Sequence, residues 1–471
     1  MSKHLFAGTR FHHTTIMDNV LLVTVDSLRA DHVGYHGYER DTTPNLDRRA
    51  AGNHAFYNAF ANGCNTRRSF PSILAGTYPL MYGGFEKLSS DRTVLAEPFH
   101  ETGFTTGGFQ SNPYLLAQFG YARGFEKYYG SNSEASSTSK IRQCIKNRLD
   151  DGLFLQTLQR AFNLTESVIG YNPGEPFVKA DKITDEALSW VSDVDSPVFL
   201  WVHYMDVHHP YHPPAEYQRM FRDEPVSKRR AVKLRRKMIE SPEQVSETEL
   251  KTVLNLYDGE IRFVDEEIDR LIEGVRTKLS GDTVVAVTSD HGEEFNDHHG
   301  FAHHNTFYDE LLHVPLVLDA PGSGEYDELV GLADLPPTLL SYADVEIPDS
   351  YVGDSLKTLV SDGTWDKQYV FAEAGSVADG EFRCGCRTSD RKYIRGGDHP
   401  DAAEKPPEEL YDLETDPAEM INLIEDAEED IATVRGVVDE HERTVRETDQ
   451  RVETVEIDSE TESRLEDLGY K

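Results

Sequence analysis

Three short apolar segments, each followed by acidic or histidine-rich residues, constrain the fold of this chain more than any other feature. They read NVLLVTV at Asn19–Val25, PVFLWVH at Pro197–His203 and DTVVAVT at Asp282–Thr288. Continuous apolar, β-branched runs of this length are typical of strands buried on both faces. Helical spacing of apolar residues between them, as at Val253–Leu271, predicts an α/β fold with a mostly parallel sheet flanked by helices.

Polar side chains follow these segments, at the edge of the sheet where α/β proteins bind their ligands. Asp26 follows the first segment, and Asp290 and His291 follow the third. Histidines are concentrated in 203–212, at the end of the second segment, and in 297–304. A single acidic residue at a strand end often only caps a turn. Two such carboxylates with an adjacent imidazole indicate a divalent-metal site.

The charge balance restricts the partners of the protein. The 471 residues carry a net charge of −37, with 84 acidic and 47 basic side chains. Phosphates would be repelled, so we expect no nucleic-acid partner. Because the acidic residues are spread along the chain, we interpret them as an adaptation to high salt, with an ordinary acidic enzyme as the alternative.

Cysteine content and the N-terminal residues bear on the cellular compartment. Cys64, Cys144, Cys384 and Cys386 are too few for a disulfide framework. The first 17 residues lack the apolar run of a signal peptide. No stretch approaches the ~20 apolar residues that cross a membrane. We therefore expect a cytoplasmic protein without membrane spans.

Seven blocks of the sequence resemble, in order, the sulfatases of the arylsulfatase type. The blocks are NVLLVTVDSLRADHVGYHGY, TTPNLD, SILAGTYP, YDGEIRFVDEEIDRL, SDHGEEF, LHVPLVL and ELYDLETDPAEMINL. They run from Asn19 to Leu423, nearly the whole chain. The resemblance implies an alkaline phosphatase-like fold that binds one divalent cation, for which Ca²⁺, Mg²⁺ and Mn²⁺ are the candidates.

The change of pattern along the chain, with short strands from Val370 onward and a charged helical end, predicts a division into three parts. Residues 17–365 would form the sulfatase-like catalytic domain and 366–425 a small C-terminal α+β subdomain with an antiparallel sheet. Residues 426–471 would be a charged helical tail. The segment Ser131–Ile183 lacks strand signals and is interpreted as an insertion near the mouth of the site. The basic segment Gln218–Glu240 is interpreted as a solvated helix face, or alternatively as an anion-guiding or partner-binding surface.

Metal ligands are carried over from the family residue by residue. Asp26 and Asp290 would bind the cation, with His291 as a further ligand or a close neighbour. Ser27 stands where the family has a second aspartate. The implied metal site is therefore less negative by one charge.

Three further residues are implied to contact the substrate or support the nucleophile. His208 matches the histidine of an aspartate–proline–histidine stretch, although Val207 replaces the proline, and would contact the ester oxygens. His303 would hydrogen-bond the ester or protonate the leaving group. Arg68 would help to hold the nucleophile loop.

The nucleophile is where the sequence departs from the family. Sulfatases oxidise a cysteine to formylglycine, and Cys64 has the family's separation from Arg68, but Thr66 replaces the proline or alanine between them. Counting back from Ser72 instead places Thr66 at the nucleophile position. A metal-bound threonine is the nucleophile of lipoteichoic acid synthases and phosphoethanolamine transferases in the wider superfamily. Thr66 is therefore both a catalytic candidate and a metal-ligand candidate.

Structural roles for the two loop residues stay open beside the catalytic ones. Thr66 could serve only as a loop hydroxyl that satisfies backbone groups. Cys64 could be only a small buried residue, which we favour over its conversion to formylglycine.

Three functions are compatible with the sequence. The first is a metal-dependent hydrolase of small-molecule or glycan sulfate esters. The second is a phosphomonoesterase, phosphodiesterase or phospho-group transferase that uses Thr66. It gains weight because Gly107–Pro113 replaces the family's glycine–lysine–tryptophan–histidine stretch and its sulfate-binding lysine. The third is an inactive binding protein, which the retained Asp26, Asp290 and His291 disfavour.

Overall fold

The computed structural model describes residues 17–130, 177–396, 408–425, 428–455, 457 and 459–468. Most of the segment Ser131–Ile183, interpreted above as an insertion, lies outside these residues.

Strands and helices alternate through the first three quarters of the chain. The strands are β1 Asn19–Val25, β2 His54–Phe56, β3 Ala59–Phe60, β4 Thr105–Gln110, β5 Lys127–Gly130, β6 Val198–Tyr204, β7 Thr283–Ser289, β8 Glu294–Phe295, β9 Phe301–Ala302, β10 Leu316–Asp319, β11 Gly324–Tyr326, β12 Val330–Gly331, β13 Val370–Ser376, β14 Glu381–Arg387, β15 Arg391–Arg395 and β16 Glu408–Asp412. The α-helices are α1 Pro44–Gly52, α2 Thr66–Ala75, α3 Ala96–Glu101, α4 Ala180–Val191, α5 Ala215–Phe221, α6 Lys228–Glu240, α7 Glu247–Lys278, α8 Asp309–Leu312, α9 Leu335–Tyr342, α10 Leu356–Asp362, α11 Glu428–Glu447 and α12 Ser459–Leu468.

An eight-stranded sheet forms the centre of the molecule, in the order β11-β2-β10-β7-β1-β6-β4-β5. Only the pairs made by β10 are antiparallel, which confirms the predicted mostly parallel sheet. The central strand β1 pairs with β6 on one side and with β7 on the other, so that Val25 lies opposite both Tyr204 and Ser289. Because these strands end in register, the residues that follow them meet at one edge.

Both faces of the sheet are buried, as the continuous apolar runs predict. Val20 and Leu22 of β1 pack into one apolar cluster, and Leu21, Val23 and Val25 pack into the other. Burying each such side chain contributes roughly 1.5–3 kcal/mol. The helices α1, α4 and α5 pack around the long helix α7 on one face, whereas α2, α9 and α10 lie together on the other.

The C-terminal quarter forms a second, antiparallel sheet in the order β13-β14-β15-β16, which confirms the predicted small subdomain. Lys392 of β15 is buried and pairs with Glu419 at 2.7 Å and with Asp309 of α8. In the tail, Leu465 and Leu468 are buried as well.

None of the helices within the described residues combines the length and the apolar composition needed to cross a membrane.

Candidate active site

Asp26 and Asp290 lie side by side because the sheet register continues one residue beyond the strands. The backbone N–H of Asp26 donates to the carbonyl of Tyr204 at 2.8 Å, and that of Asp290 donates to the carbonyl of Val25 at 3.2 Å. Both carboxylates are completely buried. Two buried acidic groups at adjacent strand ends need a compensating positive charge.

Ser27 turns the chain away from strand β1 and contacts both carboxylates. Its φ of 59° lies in the left-handed region that a residue with a Cβ rarely adopts. Its backbone N–H donates to Asp290 Oδ1 at 3.2 Å, and its hydroxyl donates to Asp26 Oδ1 at 2.9 Å. Ser27 therefore links the two carboxylates by hydrogen bonds where an aspartate would add a third negative charge.

The two carboxylates and their neighbours fit a divalent cation. Ligand atoms of Asp26, Asp290 and His203 lie within 4.8 Å of one another. Oδ2 of Asp290 is buried and accepts no hydrogen bond from the described residues. An oxygen of this kind, next to a second carboxylate, suits a hard cation such as Ca²⁺, Mg²⁺ or Mn²⁺.

The pKa values of Asp26 and Asp290 also favour a bound cation. Burial raises the pKa of Asp290 well above its usual range, and the neighbouring charge of Asp26 raises it further. Burial also acts to raise the pKa of Asp26, but His208, His203 and His291 lower it below its usual range. Because two adjacent carboxylates resist ionising together, a bound cation would favour the doubly ionised form.

Hydrogen bonds give the two nearest histidines different roles. Nδ1 of His291 donates to the carbonyl of Gly292 at 2.7 Å, so its Nε2 carries a lone pair, 3.7 Å from Asp26 Oδ1 and 3.6 Å from Asp290 Oδ2. Thr24 accepts from the indole of Trp201 and offers its own proton to Nδ1 of His203. Nε2 of His203 then carries the ring proton and faces Asp26 Oδ2 at 3.3 Å. His291 is thus arranged as a ligand, and His203 as a donor that orients Asp26.

Thr66 is the first residue of α2, and its side chain meets the carboxylate pair. The side chain of Asn65 caps the helix and accepts from the backbone N–H of Arg68. The hydroxyl Oγ1 of Thr66 donates to Asp26 Oδ2 at 3.2 Å and lies 3.4 Å from Nε2 of His291. Thr66 is completely buried.

Cys64 lies two residues earlier, in the turn before the helix. Its side chain is fully buried in the apolar cluster that also contains Phe60, Phe70 and Tyr114. Of the two nucleophile candidates, Thr66 has the hydrogen bond to Asp26.

Asn112, which follows β4, holds both groups in place. Its Nδ2 donates to Asp26 Oδ2 at 3.1 Å and contacts Thr66 Oγ1 at 3.4 Å. Its Oδ1 accepts from the backbone N–H of Tyr114 at 2.9 Å, which fixes the orientation of the amide.

A histidine cluster lies beside the metal residues. The ring of His303 is 4.8 Å from that of His291 and 5.1 Å from that of His208, centre to centre. Nδ1 of His303 faces Glu293 Oε1 at 3.3 Å, and the other oxygen of Glu293 accepts from the hydroxyl of Tyr211 at 2.7 Å. Burial lowers the pKa of His303 to about 4 and raises that of Glu293 to about 7.

His209 joins this cluster, and its contact with Arg235 limits what it can do. The ligand atoms of His208, His209 and His303 lie within 4.8 Å of one another, as a metal site would require. Nε of Arg235 donates to Nδ1 of His209 at 3.2 Å. Burial also lowers the pKa of His209 well below its usual range. A neutral ring that accepts at Nδ1 carries its proton on Nε2, which suits a hydrogen-bond donor rather than a metal ligand.

Arg68 supplies a half-buried positive charge close to these histidines. Its guanidinium lies over the ring of Phe85, 4.6 Å from the centroid. Its Nε is buried and donates no hydrogen bond within the described part of the chain. Burial lowers the pKa of Arg68, and the charge of Arg68 in turn helps to lower the pKa of His303.

The structure therefore brings the candidate residues into two adjoining groups. The first group consists of the carboxylate pair with its nearest neighbours, Asp26, Asp290, His291 and Thr66. The second group lies around the first and consists of Arg68, His208 and His303. Cys64 lies apart from both, in the apolar cluster. Sequence reasoning missed His203, Asn112 and Glu293. A weak signal existed for each, since His203 ends β6, Asn112 follows β4 and Glu293 stands in the SDHGEEF block.

Comparisons with known proteins bear on the family of the chain. The sulfatase family model matches residues 18–345. A model of the C-terminal part of N-sulphoglucosamine sulphohydrolase matches residues 297–445. An arylsulfatase of Clostridium perfringens is 27% identical over 461 residues, covering 87% of this chain and 91% of that protein. Human iduronate 2-sulfatase is 24% identical over 412 residues, covering 73% and 72%.

A solved structure supports the fold. The phosphonate monoester hydrolase of Agrobacterium radiobacter superposes with a TM-score of 0.66 at 22% sequence identity, covering 91% of this chain and 95% of that one. The expected alkaline phosphatase-like architecture is thereby confirmed. Since the family model spans well over half of the chain, the protein belongs to the sulfatase family of ester hydrolases.

Proposed function

We propose that this sulfatase-family enzyme cleaves sulfate esters at the carboxylate pair and that Thr66 is its nucleophile. The observation that carries the proposal is the position of the Thr66 hydroxyl, 3.2 Å from Asp26 Oδ2 and 3.4 Å from His291 Nε2. The proton of that hydroxyl points to Asp26, which leaves an oxygen lone pair for attack on sulfur. Cys64, in the apolar cluster, keeps its thiol in this proposal.

Asp26, Asp290 and His291 would hold the divalent cation, with Thr66 next to it. A bound cation would lower the pKa of the threonine hydroxyl and offset negative charge on the ester. Asn112 holds Thr66 and Asp26 in a fixed relative position, and His203 orients the Asp26 carboxylate. These side chains are buried and hydrogen-bonded to one another, so little reorganisation is needed when the ester binds.

Positive groups surround the place where the sulfuryl oxygens would lie. Thr66 begins a ten-residue helix, and its partial positive charge favours an anion there. Arg68 has a buried Nε available as a donor. Nδ1 of His208 donates to the carbonyl of His209 at 2.6 Å, and an anionic ester would favour protonation of its Nε2.

His303 and Glu293 are arranged to deliver a proton to the leaving oxygen. In the first step the Thr66 hydroxyl gives its proton to Asp26 as its oxygen bonds to sulfur, the bond from sulfur to the alcohol oxygen breaks, and that oxygen takes a proton from His303. Glu293, whose pKa burial raises to about 7, can return a proton to Nδ1 of His303. Water then attacks the sulfur of the threonine sulfate and passes one proton through His303 to Glu293. The bond from sulfur to the Thr66 oxygen breaks, Asp26 returns the proton to that oxygen, and hydrogen sulfate leaves.

Phosphate-ester hydrolysis is the second candidate function, and Thr66 is the observation that favours it. A threonine hydroxyl that is bound to a metal can attack phosphorus, whereas it cannot reproduce the hydrated aldehyde of formylglycine. Charge argues for the sulfate ester or a phosphodiester, because the lysine of the lost stretch is absent from the sequence and a site with fewer cations favours an ester with fewer negative charges. A phosphate monoester carries one more negative charge than either of these.

A substrate panel tests the proposal. We would measure kcat/KM in high salt for an aryl sulfate, an aryl phosphate and a diaryl phosphate, supplying Ca²⁺, Mg²⁺ and Mn²⁺ in turn. The Asp290→Asn variant serves as the blank. Turnover of the sulfate above both phosphates supports the proposal. Faster turnover of either phosphate would make the second candidate the function.

The acidic surface supports a second proposal, that the enzyme works in a salt-rich cytoplasm. Its net charge of −37 disfavours the compact state through self-repulsion at low salt. We expect Tm to rise between about 0.1 M and 3 M KCl. A Tm that is highest at the low end would identify an ordinary acidic enzyme.

A further inference from the structure

The backbone that leads into His303 is unusually strained. Residues 294–303, here called the histidine hairpin, form a tight turn in which β8 pairs with β9. Asn296, His299 and Ala302 each have a φ of 70°, in the left-handed region that residues with a Cβ rarely adopt. Such a conformation is unfavourable and persists only where surrounding contacts fix it. Because Ala302 directly precedes His303, the position of the proposed general acid depends on the contacts that hold this hairpin.

Some of these contacts close the hairpin on itself. Oε1 of Glu294 accepts from the backbone N–H of His298 at 3.1 Å and from that of Gly300 at 2.7 Å. The turn closes so tightly that a Cβ at Gly300 would lie 2.6 Å from the Glu294 carboxylate. Nη1 of Arg29, which follows β1, donates to Asp297 Oδ2 at 2.9 Å. The hairpin is therefore tied internally and to the segment after the central strand.

The side chain of His298 ties the hairpin to two further parts of the molecule. Its Nδ1 is hydrogen-bonded to Glu310 Oε1 at 2.5 Å, and its Nε2 donates to the carbonyl oxygen of Glu419 at 3.2 Å. The ring stacks on Tyr308, with the centroids 3.6 Å apart and the planes 6° from parallel. The side chains of His298 and Glu310 are only 8% and 7% exposed, so water competes little for these contacts.

The hydrogen bond between His298 and Glu310 joins two charged groups. Burial acts to lower the pKa of His298, but the hydrogen bond to Glu310 and the charge of that carboxylate raise it above its ordinary value. The ring then carries a proton on both nitrogens, as donation to the Glu419 carbonyl also requires of Nε2. Charge-assisted hydrogen bonds of this kind are stronger than neutral ones, which makes His298 a firm attachment for the hairpin.

The two acceptors of His298 belong to different parts of the fold. Glu310 lies in α8, and its backbone carbonyl accepts from the N–H of Glu293 at 3.0 Å. Glu419 follows the last strand of the antiparallel sheet, and its carboxylate pairs with Lys392 of that sheet at 2.7 Å. His298 therefore connects the hairpin both to the residue that faces His303 and to the C-terminal sheet.

We propose that His298 is a positioning residue for ester cleavage, which holds the strained hairpin so that His303 faces the leaving oxygen. His298 does not touch the substrate and acts only through His303. The contact with Glu419 also gives the antiparallel sheet a part in catalysis. This inference rests on the proposed ester hydrolysis, because it concerns the residue that places the general acid of that reaction.

Two substitutions of His298 and one matched control test the proposal. His298→Ala removes the ring, whereas the amide of His298→Asn can take the place of Nδ1 and donate to Glu310. The control is His441→Ala in α11. His441 is also buried, pairs with Glu373 of β13 at 2.7 Å and stacks on Phe371 with the centroids 3.8 Å apart. Its loss should destabilise the fold to a similar extent at a different place.

For each variant we would measure kcat and KM on an alkyl sulfate and on a nitrophenyl sulfate, alone and combined with His303→Ala. The Kd for Mn²⁺ is measured by calorimetry, and hydrogen exchange is followed at the amides of 294–303. If sulfate esters are not turned over, the same series is run on alkyl and nitrophenyl phosphodiesters.

We expect His298→Ala to lower kcat about 10- to 100-fold on the alkyl ester and less than about threefold on the nitrophenyl ester. KM and the Kd for Mn²⁺ should change less than about twofold, because His303 is misplaced while the metal residues are not. On the His303→Ala background the substitution should cause almost no further loss, since the two residues act as one unit. His298→Asn should recover part of the alkyl-ester activity, and His441→Ala should affect both esters equally.

Equal losses on the two esters in His298→Ala, or a loss that adds in full to that of His303→Ala, would overturn the proposal. The same alkyl-ester loss in His441→Ala would also overturn it. If His303→Ala itself does not distinguish the two esters, the proposed proton transfer fails, and hydrogen exchange alone then decides whether His298 holds the hairpin. Faster exchange at 294–303 in His298→Ala than in His441→Ala supports that role, and equal exchange refutes it.

Discussion

The hydroxyl oxygen of Thr66 lies 3.2 Å from the Oδ2 of Asp26, although 40 positions separate them in the chain. One residue follows the central strand β1, and the other begins the helix α2. Asn112 contacts both. This contact distinguishes Thr66 from Cys64, which lies in an apolar cluster.

Replacing Thr66 should remove the chemistry and leave the fold. Thr66→Ala is expected to lower kcat by about 10³-fold or more, because loss of a nucleophile commonly costs this much. Thr66→Ser keeps the hydroxyl and should retain activity within about tenfold. Cys64→Ala should retain kcat, with a lower Tm because a buried side chain is truncated. An inactive Cys64→Ala that still folds would transfer the nucleophile to Cys64.

Asp290→Asn should abolish metal binding and turnover together. Asp290 provides a buried oxygen that accepts no hydrogen bond from the described residues. The asparagine side chain has the same size as the aspartate, so the substitution removes the charged ligand without a steric change. We expect at least ~10³-fold loss of kcat/KM and no Mn²⁺ binding heat in calorimetry. Asp282→Asn, at the opposite edge of the sheet, is the matched control. Normal Mn²⁺ binding by Asp290→Asn would refute the metal assignment.

His303→Ala should affect poor leaving groups most. If His303 protonates the departing oxygen, alcohols of high pKa depend on it, whereas activated phenols do not. We expect a loss of about 10²–10⁴-fold in kcat for an alkyl sulfate and a much smaller loss for a nitrophenyl sulfate. Equal losses on both esters would assign His303 to binding instead.

Asn112→Ala should weaken catalysis without removing the metal. The variant loses the hydrogen bond that Asn112 donates to Asp26 at 3.1 Å and its contact with Thr66. Hydrogen bonds to charged groups contribute about 1.5–3 kcal/mol, so we expect kcat to fall about 10- to 100-fold. The Kd for Mn²⁺ should change little. If the Kd for Mn²⁺ rises steeply while kcat falls, Asn112 is needed for the metal site itself.

The sheet could be anticipated from the sequence because its strands are buried on both faces and therefore apolar throughout. The strand β1 spans Asn19–Val25, the same residues as the first predicted segment, and β6 and β7 are each shifted by one residue from theirs. The positions of Asp26, Asp290 and His291 follow from the same argument, since parallel strands that end together bring the next residues together.

Other parts of the site could not be anticipated, because they depend on contacts between distant segments. Asn112 follows the glycine-containing strand TTGGFQ, and nothing in that pattern indicates that its amide reaches Asp26. The role of His203 depends on the hydroxyl of Thr24 and the indole of Trp201. The choice of Thr66 over Cys64 as the nucleophile depended on knowing that α2 begins at Thr66. The sequence of the loop before the helix does not reveal where the helix begins.

A cluster of charged side chains formed by Lys179, Asp206 and Glu260 should make the stability of the fold depend on pH. Glu260 and Asp206 both pair with Lys179, at 3.1 Å and 3.2 Å. Burial raises the pKa of Glu260 from its ordinary 4.5 to about 7. The folded state therefore holds this proton more tightly than the unfolded chain does. The contribution of Glu260 to stability is full below pH 4.5 and is lost as the pH rises through about 7.

Glu260→Gln should accordingly flatten the pH dependence of Tm. We would measure Tm between about pH 5 and pH 8 for the wild-type protein, for Glu260→Gln and for the exposed control Glu247→Gln. Tm should fall by several degrees more in the wild-type protein and in the control than in Glu260→Gln. Parallel curves for all three proteins would rule out the Glu260 contribution.

The most direct test of the account is to trap the covalent intermediate. The enzyme is mixed with an aryl sulfate and a divalent cation, quenched in acid within the first turnover and digested with trypsin. The peptide that ends at Arg67 contains both Cys64 and Thr66, and fragmentation separates them. We predict one sulfuryl group on Thr66 and an unmodified thiol at Cys64. Formylglycine at residue 64, or a sulfuryl group at that residue, would contradict the account.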